Sequence, residues 1–251
     1  MNLFKPRSKR NKDLRPSEAI SRSDAVQNAA STLMANIRFS SVDKPIKSLV
    51  ITTAAPHEGK TTIAVALALA MAKSEKKVLL VEGDMRRRCL QNMLGVRAPH
   101  GIHAVLTQEC SVEDAIVPTK DEGLFFLNAE AGIPNPEAIL GSQKYADLIQ
   151  RLCESYDHVI IDTPPVAAFS DAAVLASRTD GAILVMREGF TERAEAAYAV
   201  EQLRISNANL LGAAINGKTS AGTGYGYGYY YDYYYEEKTV PANSKEAQAA
   251  Q

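Results

Sequence analysis

The sequence predicts an α/β fold in which a doubly wound, mainly parallel sheet carries helices on both faces. Short runs of β-branched and other apolar residues alternate along the chain with longer segments of helical periodicity, which is typical of a parallel sheet covered by helices. The short runs are continuously apolar, as expected of strands that are buried on both sides. The 251 residues are enough to bury one sizeable core.

Strands and helices follow in order from these patterns and define one domain over residues 25–216. The predicted strands are Ser48–Thr53, Val78–Glu82, Leu124–Asn128, His158–Asp162, Gly181–Met186 and Leu210–Asn216. The predicted helices between them include Thr61–Ser74, Gln143–Ser155, Asp171–Ser177 and Thr191–Ile205.

Both ends of the chain differ in composition from this domain, and we expect both to be flexible. Residues 1–24 form a basic arm. Its first sixteen residues hold one acidic side chain, Asp13, and six basic ones: Lys5, Arg7, Lys9, Arg10, Lys12 and Arg15. The arm is either a solvated extension or a contact with anionic lipid, where each basic residue contributes about 1 kcal/mol. Residues 217–251 hold no large aliphatic side chain before Val240, too little apolar surface to offset the entropy of ordering them.

Charge and cysteine content exclude several classes of protein. The formal net charge is -1, so the chain lacks the basic excess of a nucleic-acid binder, and we expect no nucleic acid as partner. The three cysteines are widely spaced, which favours a reduced cytoplasmic protein over a disulfide framework or a zinc site. The longest apolar run, Ile63–Ala72, is about half the length that a bilayer crossing requires. We therefore expect a soluble protein whose membrane association goes through charge or a partner.

A phosphate-binding motif joins the first predicted strand to the first predicted helix and ends in Gly59-Lys60-Thr61. Successive backbone N–H groups of such a loop wrap the phosphates of a nucleotide, at the positive end of the helix dipole. Lys60 is expected to reach the β- and γ-phosphates, and the Thr61 hydroxyl to bind Mg²⁺. The usual first glycine is replaced by Ala54. The predicted nucleotide-binding residues of this P-loop are Pro56, His57, Glu58, Gly59, Lys60, Thr61 and Thr62.

Carboxylates stand at the ends of two further predicted strands, Glu82 and Asp84 after one and Asp162 after the other. Because the carboxyl ends of parallel strands meet at one edge of a sheet, we expect all three beside the loop. A carboxylate there holds Mg²⁺ or accepts the proton of a nucleophile; the alternative is a residue that only caps the following helix. The predicted metal ligands are Thr61, Glu82, Asp84 and Asp162, and the predicted catalytic residues are Lys60, Asp84 and Asp162.

These three motifs resemble the Walker A, A′ and B motifs of the bacterial tyrosine kinases, a P-loop family that regulates capsule and exopolysaccharide assembly. The resemblance covers residues 25–216, and the tyrosine-rich tail completes it. The Asp-Thr-Pro-Pro element alone is shared with partition and iron–sulfur scaffold ATPases, so the tail is what separates the kinases from them. Further matching segments are Asn36–Ser40, Asn135–Pro136, Asp162–Pro165, Ser170–Ala172 and Thr179–Gly181.

The resemblance implies ATP and Mg²⁺ as cofactors and a role for each acidic residue. Asp84 and Glu82 occupy the two acidic positions of the A′ motif, and Asp162 that of Walker B. The family has Asp where this chain has Glu82, and a displacement of roughly 1 Å can cost on the order of 100-fold in rate. The base role is therefore assigned to Asp84, and Glu82 is a candidate for the metal shell. Arg86 matches the arginine that follows the motif and is expected to face phosphate.

Two further positions bear on the nucleotide and on assembly. Asn216, at the end of the last predicted strand, is a candidate for contact with the base, the alternative being a turn formed by Asn-Gly. The charged positions that the family uses for ring-shaped self-association fall on Asn28, Ser31 and Met34. None of these is charged, so the salt bridges of that interface cannot form.

The tail is the expected substrate because eight of the eleven tyrosines lie within it. An aromatic strand is the alternative, which the interleaved Gly and Asp oppose. About nine residues separate Asn216 from the first of these tyrosines, so the tail spans at most roughly 30 Å to it and reaches a neighbouring subunit as well as its own site. The predicted phosphoacceptors are Tyr225, Tyr227, Tyr229, Tyr230, Tyr231, Tyr233, Tyr234 and Tyr235.

The sequence thus indicates a protein-tyrosine kinase that phosphorylates its own tail and regulates polysaccharide synthesis and export. One alternative is an ATPase switch of the partition or scaffold type, which would usually carry lysine at Ala55 or, for the scaffolds, a Cys-x-x-Cys pair. Another is a regulatory subunit that binds ATP weakly because Ala54, His57 and Glu82 alter the site. The resemblance also implies partners at the inner face of the membrane: an activating adaptor of the polysaccharide co-polymerase type, a neighbouring subunit's tail and a cognate tyrosine phosphatase.

Overall fold

The computed structural model describes residues 15–41, 44–133 and 135–217. Its strands form one sheet in the order β3-β4-β2-β5-β1-β6-β7, in which every pair is parallel except β3 with β4. The strands are β1 (Ser48–Thr53), β2 (Val78–Glu82), β3 (Ile116–Pro118), β4 (Leu124–Leu127), β5 (His158–Asp162), β6 (Gly181–Arg187) and β7 (Leu210–Asn216). The predicted mainly parallel sheet is confirmed.

All six predicted strands are present, and their ends agree within one residue. Strand β3 was not predicted; it has three residues, lies antiparallel at an edge of the sheet and ends in Pro118. A segment of this length carries too few residues for a periodic pattern.

Helices cover both faces of the sheet. They are α1 (Pro16–Arg22), α2 (Asp24–Phe39), α3 (Lys60–Lys73), α4 (Leu90–Leu94), α5 (Ile102–Leu106), α6 (Val112–Ala115), α7 (Pro136–Leu140), α8 (Gln143–Ser155), α9 (Asp171–Ala176) and α10 (Arg193–Ile205). The four predicted helices are α3, α8, α9 and α10, with ends that agree within two residues. The short helices α4 to α7 are set by tertiary contacts rather than by periodicity. No helix in the described ranges is both long enough and apolar enough to cross a membrane.

The segment that was predicted as a flexible arm ends in ordered structure. Residues 16–22 form α1, which starts with Pro16 and buries Ser17 and Ile20. The guanidinium of Arg15 donates to the backbone oxygen of Leu94 at 2.9 Å. Ile20 alone supplies the apolar anchor, which is too weak a pattern to read from sequence. The other five basic residues of the arm, and all eight tyrosines of the tail, lie outside the described residues.

Two apolar cores lie on opposite faces of the sheet, because successive side chains of a strand point to opposite sides. In β1, Leu49 and Ile51 face the core formed with α1 to α4, whereas Val50 faces the core formed with α5 to α10. Residues 64–72 of α3 are all buried, so the helix that follows the P-loop runs through the interior. Both cores hold the sheet rigid, and its carboxyl edge is therefore a stable base for a site.

Asp180 fixes the opposite, amino-terminal edge. One carboxylate oxygen accepts the backbone N–H of Lys47 at 3.1 Å, that of Ser48 at 2.9 Å and the Ser48 hydroxyl at 2.8 Å. The other oxygen pairs with Lys44 at 2.8 Å. The carboxylate of Asp180 thus joins the start of β6 to the start of β1.

We expect Asp180→Ala to lower the free energy of unfolding by about 2–3 kcal/mol, because it leaves the amide and hydroxyl of buried Ser48 without their acceptor. Lys44→Ala is the matched control: the Lys44 side chain is 80% exposed, so its loss should leave the free energy of unfolding nearly unchanged. Urea denaturation at equilibrium measures both. Equal losses for the two variants would contradict this account.

Candidate nucleotide and catalytic site

The P-loop leaves β1 at Thr53 and enters α3 at Lys60. Its backbone is left-handed at His57 (φ 68°) and at Gly59 (φ 96°). A non-glycine residue in this conformation costs of order 1–3 kcal/mol and persists only where surrounding contacts enforce it. Alternation of conformations of this kind turns successive N–H groups toward one side and forms an anion-binding concavity. The predicted phosphate loop therefore has the backbone shape that its function requires.

Contacts within the loop and from two later segments of the chain hold it in place. Glu58 is buried, accepts the backbone N–H of Ala55 at 2.9 Å, and accepts the hydroxyl of Thr191. The side-chain amide of Asn216 donates to the backbone oxygen of Glu58 at 2.9 Å. Gly59 has φ 96°, and a Cβ there would displace the Asn216 amide, whose nitrogen would lie 2.1 Å away, so both conformation and space favour glycine. The Asn216 amide, predicted to contact the base, lies against the loop backbone in this structure.

The missing first glycine of the loop is accommodated by the core. Ala54 is buried in the apolar cluster that lies between the sheet and α5 to α10. Its methyl group therefore packs inward, and the change from glycine leaves the phosphate side of the loop unobstructed by this side chain.

Lys60 lies between two acidic side chains at the carboxyl edge of the sheet. Its ammonium nitrogen is 3.2 Å from Oδ2 of Asp84 and 3.5 Å from Oδ1 of Asp162. Thr61 donates from its hydroxyl to Oδ2 of Asp162 at 2.6 Å. The structure thus brings together the three predicted catalytic residues and the hydroxyl that was predicted to bind metal.

Burial and charge set the electrostatics of this group. Burial lowers the pKa of Lys60, but the carboxylates of Asp162 and Asp84 outweigh burial and raise it above its ordinary value. Burial also raises the pKa of Asp162, against the opposing effects of Lys60 and Thr61. The lysine is therefore firmly cationic, and it is the positive charge that makes a buried carboxylate tolerable here.

Glu82 lies directly opposite Asp162 in the pairing of β2 with β5 and is fully buried. Its Oε2 accepts the backbone N–H groups of Cys89 and Leu90, each at 2.9 Å, and so caps the start of α4. Its Oε1 is buried and accepts no hydrogen bond from the described residues. Burial, followed by the charge of Asp162, raises the pKa of Glu82 to about 8. The helix-capping alternative for this residue is therefore realised in the structure.

Asp84 is held by one oxygen and presents the other to the site. Its Oδ1 accepts the backbone N–H of Arg87 at 2.9 Å, while Oδ2 is the atom near Lys60. Gly83, just before it, donates to the backbone oxygen of Asp162 at 2.8 Å, and a Cβ there would lie 2.8 Å from that same oxygen. This close approach fixes the Asp84 carboxylate beside β5.

Arg86, predicted to face phosphate, is engaged elsewhere in this structure. Its Nε and Nη2 donate to the buried carboxylate of Asp171 at 2.9 and 3.3 Å. Its guanidinium carbon lies 4.3 Å from the centroid of the Phe169 ring.

Two residues of the site, Cys89 and Thr191, were not predicted from the sequence. The thiol of Cys89 lies 3.4 Å from the Thr61 hydroxyl, and burial, followed by the charges of Asp162 and Glu82, raises its pKa to about 12. Thr191 supports the loop through Glu58 from a position far along the chain. No local pattern marks either residue; only the Ser170–Ala172 match pointed toward the segment of Asp171.

The chain is similar in sequence and in fold to several known proteins. Residues 46–191 match the family described as AAA domain. The chain is 40% identical over 187 residues to the tyrosine-protein kinase YwqD of Bacillus subtilis (strain 168), covering 74% of this chain and 79% of that protein. It is 32% identical over 194 residues to the tyrosine-protein kinase etk of Escherichia coli (strain K12), covering 77% of this chain and 27% of that protein. The kinase domain of Escherichia coli tyrosine kinase ETK superimposes with a TM-score of 0.77 at 29% identity, covering 90% of this chain and 89% of that one.

The titration of Glu82 predicts a stability that falls as pH rises. Its pKa is about 8 in the folded protein against an ordinary 4.5, so the folded state holds a proton that the unfolded state releases between these values. This contribution is complete below pH 4.5 and is lost as pH rises through 8. Glu82→Gln keeps an oxygen for the two N–H groups but cannot titrate.

We therefore expect the free energy of unfolding of the wild type to fall more steeply than that of Glu82→Gln, by up to about 1.4 kcal/mol per pH unit within this window. Denaturation of the protein without metal or nucleotide, at several pH values, measures the two slopes. Parallel slopes would show that Glu82 titrates normally.

Proposed function

This chain belongs to the family of bacterial tyrosine kinases, and we propose that it transfers the γ-phosphoryl group of ATP to the tyrosines of its own tail. The observation that carries the proposal is the placement of Lys60 between Asp84 and Asp162, at the end of a loop with phosphate-binding shape. Phosphoryl transfer needs positioning, charge neutralisation and a base. The residues at this edge of the sheet supply all three.

Before a nucleotide binds, the charged side chains of the site form ion pairs with one another. Lys60 neutralises Asp84 and Asp162, and bound phosphates compete for its ammonium group. We infer that Lys60 turns to the β- and γ-phosphates, while the N–H groups of residues 56–62 surround them. The movement frees the two carboxylates on the side where the transferred phosphoryl group lies.

The residues beside the loop fit Mg²⁺ in their donor chemistry. Thr61 and Asp162 present oxygen atoms, which are the ligands that Mg²⁺ prefers, and this ion usually takes only one or two carboxylates together with phosphate and water. No cluster of three or more His, Cys, Asp or Glu side chains in the described parts of the chain is arranged to hold an ion by itself. Mg²⁺ supplies charge neutralisation on the phosphates. For Glu82 the metal role stays a prediction, since one of its oxygens is committed to α4.

Asp84 is the proposed general base. Its Oδ1 is fixed by the N–H of Arg87, which leaves Oδ2 to accept the phenolic proton. The tyrosine oxygen then forms its bond to the γ-phosphorus as the bond to the β–γ bridging oxygen breaks, and ADP leaves. Lys60 and the loop N–H groups offset the charge that develops on the departing oxygen.

The tail is the proposed substrate because it is attached at the site itself. β7 ends at Asn216, whose amide contacts the P-loop at Glu58. The covalent connection from there to Tyr225 is about nine residues, so the nearest acceptor is limited to a radius of roughly 30 Å. Phosphorylation adds about −1.5 to −2 charges for each tyrosine and repels neighbouring tails. Release of an assembly at the membrane is the expected result.

Partners and location follow from the family. We propose that an adaptor of the polysaccharide co-polymerase type activates the kinase at the inner face of the membrane, that a cognate phosphatase reverses the modification, and that the pair regulates capsular or exopolysaccharide synthesis. The basic residues of the N-terminal arm would add weak attraction to anionic lipid. The relatives YwqD and etk, both named tyrosine-protein kinases, favour this function over an ATPase switch.

Replacement of Lys60 by methionine should abolish phosphotyrosine formation, because it removes the cation that binds the phosphates. Mass spectrometry of the tail after incubation with Mg-ATP measures the product. Lys73→Met is the control, since Lys73 is exposed at the far end of the same helix. Robust ATP turnover by the wild type without phosphotyrosine, even with an activating adaptor present, would refute the kinase function.

Asp84→Asn should separate binding from transfer. The amide keeps an oxygen for the Arg87 N–H but cannot accept a proton, so the transfer rate should fall at least about 100-fold. ATP affinity, measured by titration calorimetry, should stay within about threefold of the wild type because the P-loop contacts remain. A variant that transfers phosphate at the wild-type rate would assign the base to another group.

A further inference from the structure

An exposed aromatic ring and a guanidinium group stack on each other in the segments that follow Asp84 and Asp162. Phe169 is 39% exposed, and Arg86 stacks on its ring at 4.3 Å. We call these two side chains the Arg86–Phe169 platform. The function proposed above uses neither of them.

The platform is rigid because Asp171 holds it. The Asp171 carboxylate is fully buried at the start of α9 and binds two nitrogens of the Arg86 guanidinium. A paired guanidinium of this kind keeps its plane in one orientation. The side chain of Arg86 nevertheless remains 35% exposed. A planar cation and an aromatic ring are therefore presented to a ligand in a fixed geometry.

Both members of the platform stand on segments that carry catalytic residues. Arg86 follows Asp84 by two residues in the segment after β2. Phe169 belongs to the segment after β5 and Asp162, and its N–H donates to the backbone oxygen of Pro165 at 3.1 Å. This segment is tied to β1, because the Val166 N–H donates to the backbone oxygen of Thr53 at 2.8 Å. The platform is thus fixed relative to the P-loop and to the proposed base.

We propose that the Arg86–Phe169 platform is the subsite that receives the ring of the acceptor tyrosine, taken from the tail segment Tyr225–Tyr235. A phenol ring stacks on an aromatic ring or a guanidinium plane, whereas serine and threonine side chains have no such face. The platform therefore selects tyrosine and brings its hydroxyl toward Asp84.

Charge supports the tail as the occupant. Arg86, Arg87 and Arg88 are consecutive and exposed at this point of the surface. The tail carries acidic residues within and after its tyrosines, at Asp232, Glu236 and Glu237. The cationic rim is therefore complementary in charge to an acidic, tyrosine-rich segment, which favours encounter and orientation. This subsite rests on the proposed kinase function, and the test below distinguishes the failure of one from the failure of the other.

The test compares full-length Phe169→Ala with the wild type, using a synthetic peptide of residues 221–237 as acceptor in trans with Mg-ATP. We expect the KM for the peptide to rise about fivefold to tenfold, while the KM for ATP and the transfer rate at saturation stay within about twofold. Phe169→Tyr should retain the wild-type KM. Phe39→Ala is the matched control, since Phe39 is 76% exposed at the end of α2.

Binding is measured separately from turnover by fluorescence anisotropy of the labelled peptide with Mg-ADP. The dissociation constant should rise by the same factor in Phe169→Ala, and a peptide with serine in place of every tyrosine should not bind. Phe169→Leu keeps apolar volume but has no ring. It replaces the alanine variant in both measurements if the alanine variant unfolds, and the same increases in KM and dissociation constant are expected.

Three results overturn the subsite: an unchanged peptide KM and dissociation constant, a rise in the KM for ATP instead, or a loss of thermal stability alone. If the wild type binds the peptide through Phe169 but transfers no phosphate, the kinase function fails and the subsite stands. If it transfers phosphate independently of Phe169, the subsite fails and the kinase function stands.

Discussion

The contact of Lys60 with Asp84 and Asp162 is the interaction on which this edge of the sheet depends. Parallel pairing of β2 with β5 brings acidic residues together at the ends of both strands, and burial makes their charges costly. Lys60 compensates because α3 begins at this residue, directly after the loop. The P-loop, β2 and β5 are therefore coupled through one ammonium group. Any ligand that draws Lys60 away must supply compensation of its own, which phosphate together with a divalent cation does.

Glu82 shows how this chain accommodates a change within that cluster. The Glu82 carboxylate accepts the backbone N–H groups of Cys89 and Leu90. These hydrogen bonds fix both ends of the segment between β2 and α4, which carries Asp84 and Arg86. Its second oxygen has no hydrogen-bond partner among the described residues, and burial therefore favours the neutral form of the side chain. The strand end thus serves both as a helix cap and as one wall of the site.

Residues from the C-terminal part of the domain's sequence support the P-loop. Asn216 and Thr191 belong to β7 and to the segment after β6, and both reach Glu58. The left-handed residues His57 and Gly59 are held by these contacts. Because the tail follows β7, the segment with the proposed acceptor tyrosines starts from the same residue that contacts the loop. The proposed substrate is therefore joined covalently to Asn216, whose side chain supports the candidate nucleotide site.

The sequence by itself determined the six longer strands, the helices α3, α8, α9 and α10 and the P-loop, because apolar periodicity and glycine chemistry act over short distances. It also predicted that Lys60, Asp84 and Asp162 would lie together, since the carboxyl ends of parallel strands must meet. Only the tertiary structure decided what those residues touch. Partners such as Asp171 for Arg86, Thr191 for Glu58 and α4 for Glu82 lie far apart along the chain or depend on a one-turn helix. Their contacts arise from packing of distant segments, which leaves no periodic trace in the sequence.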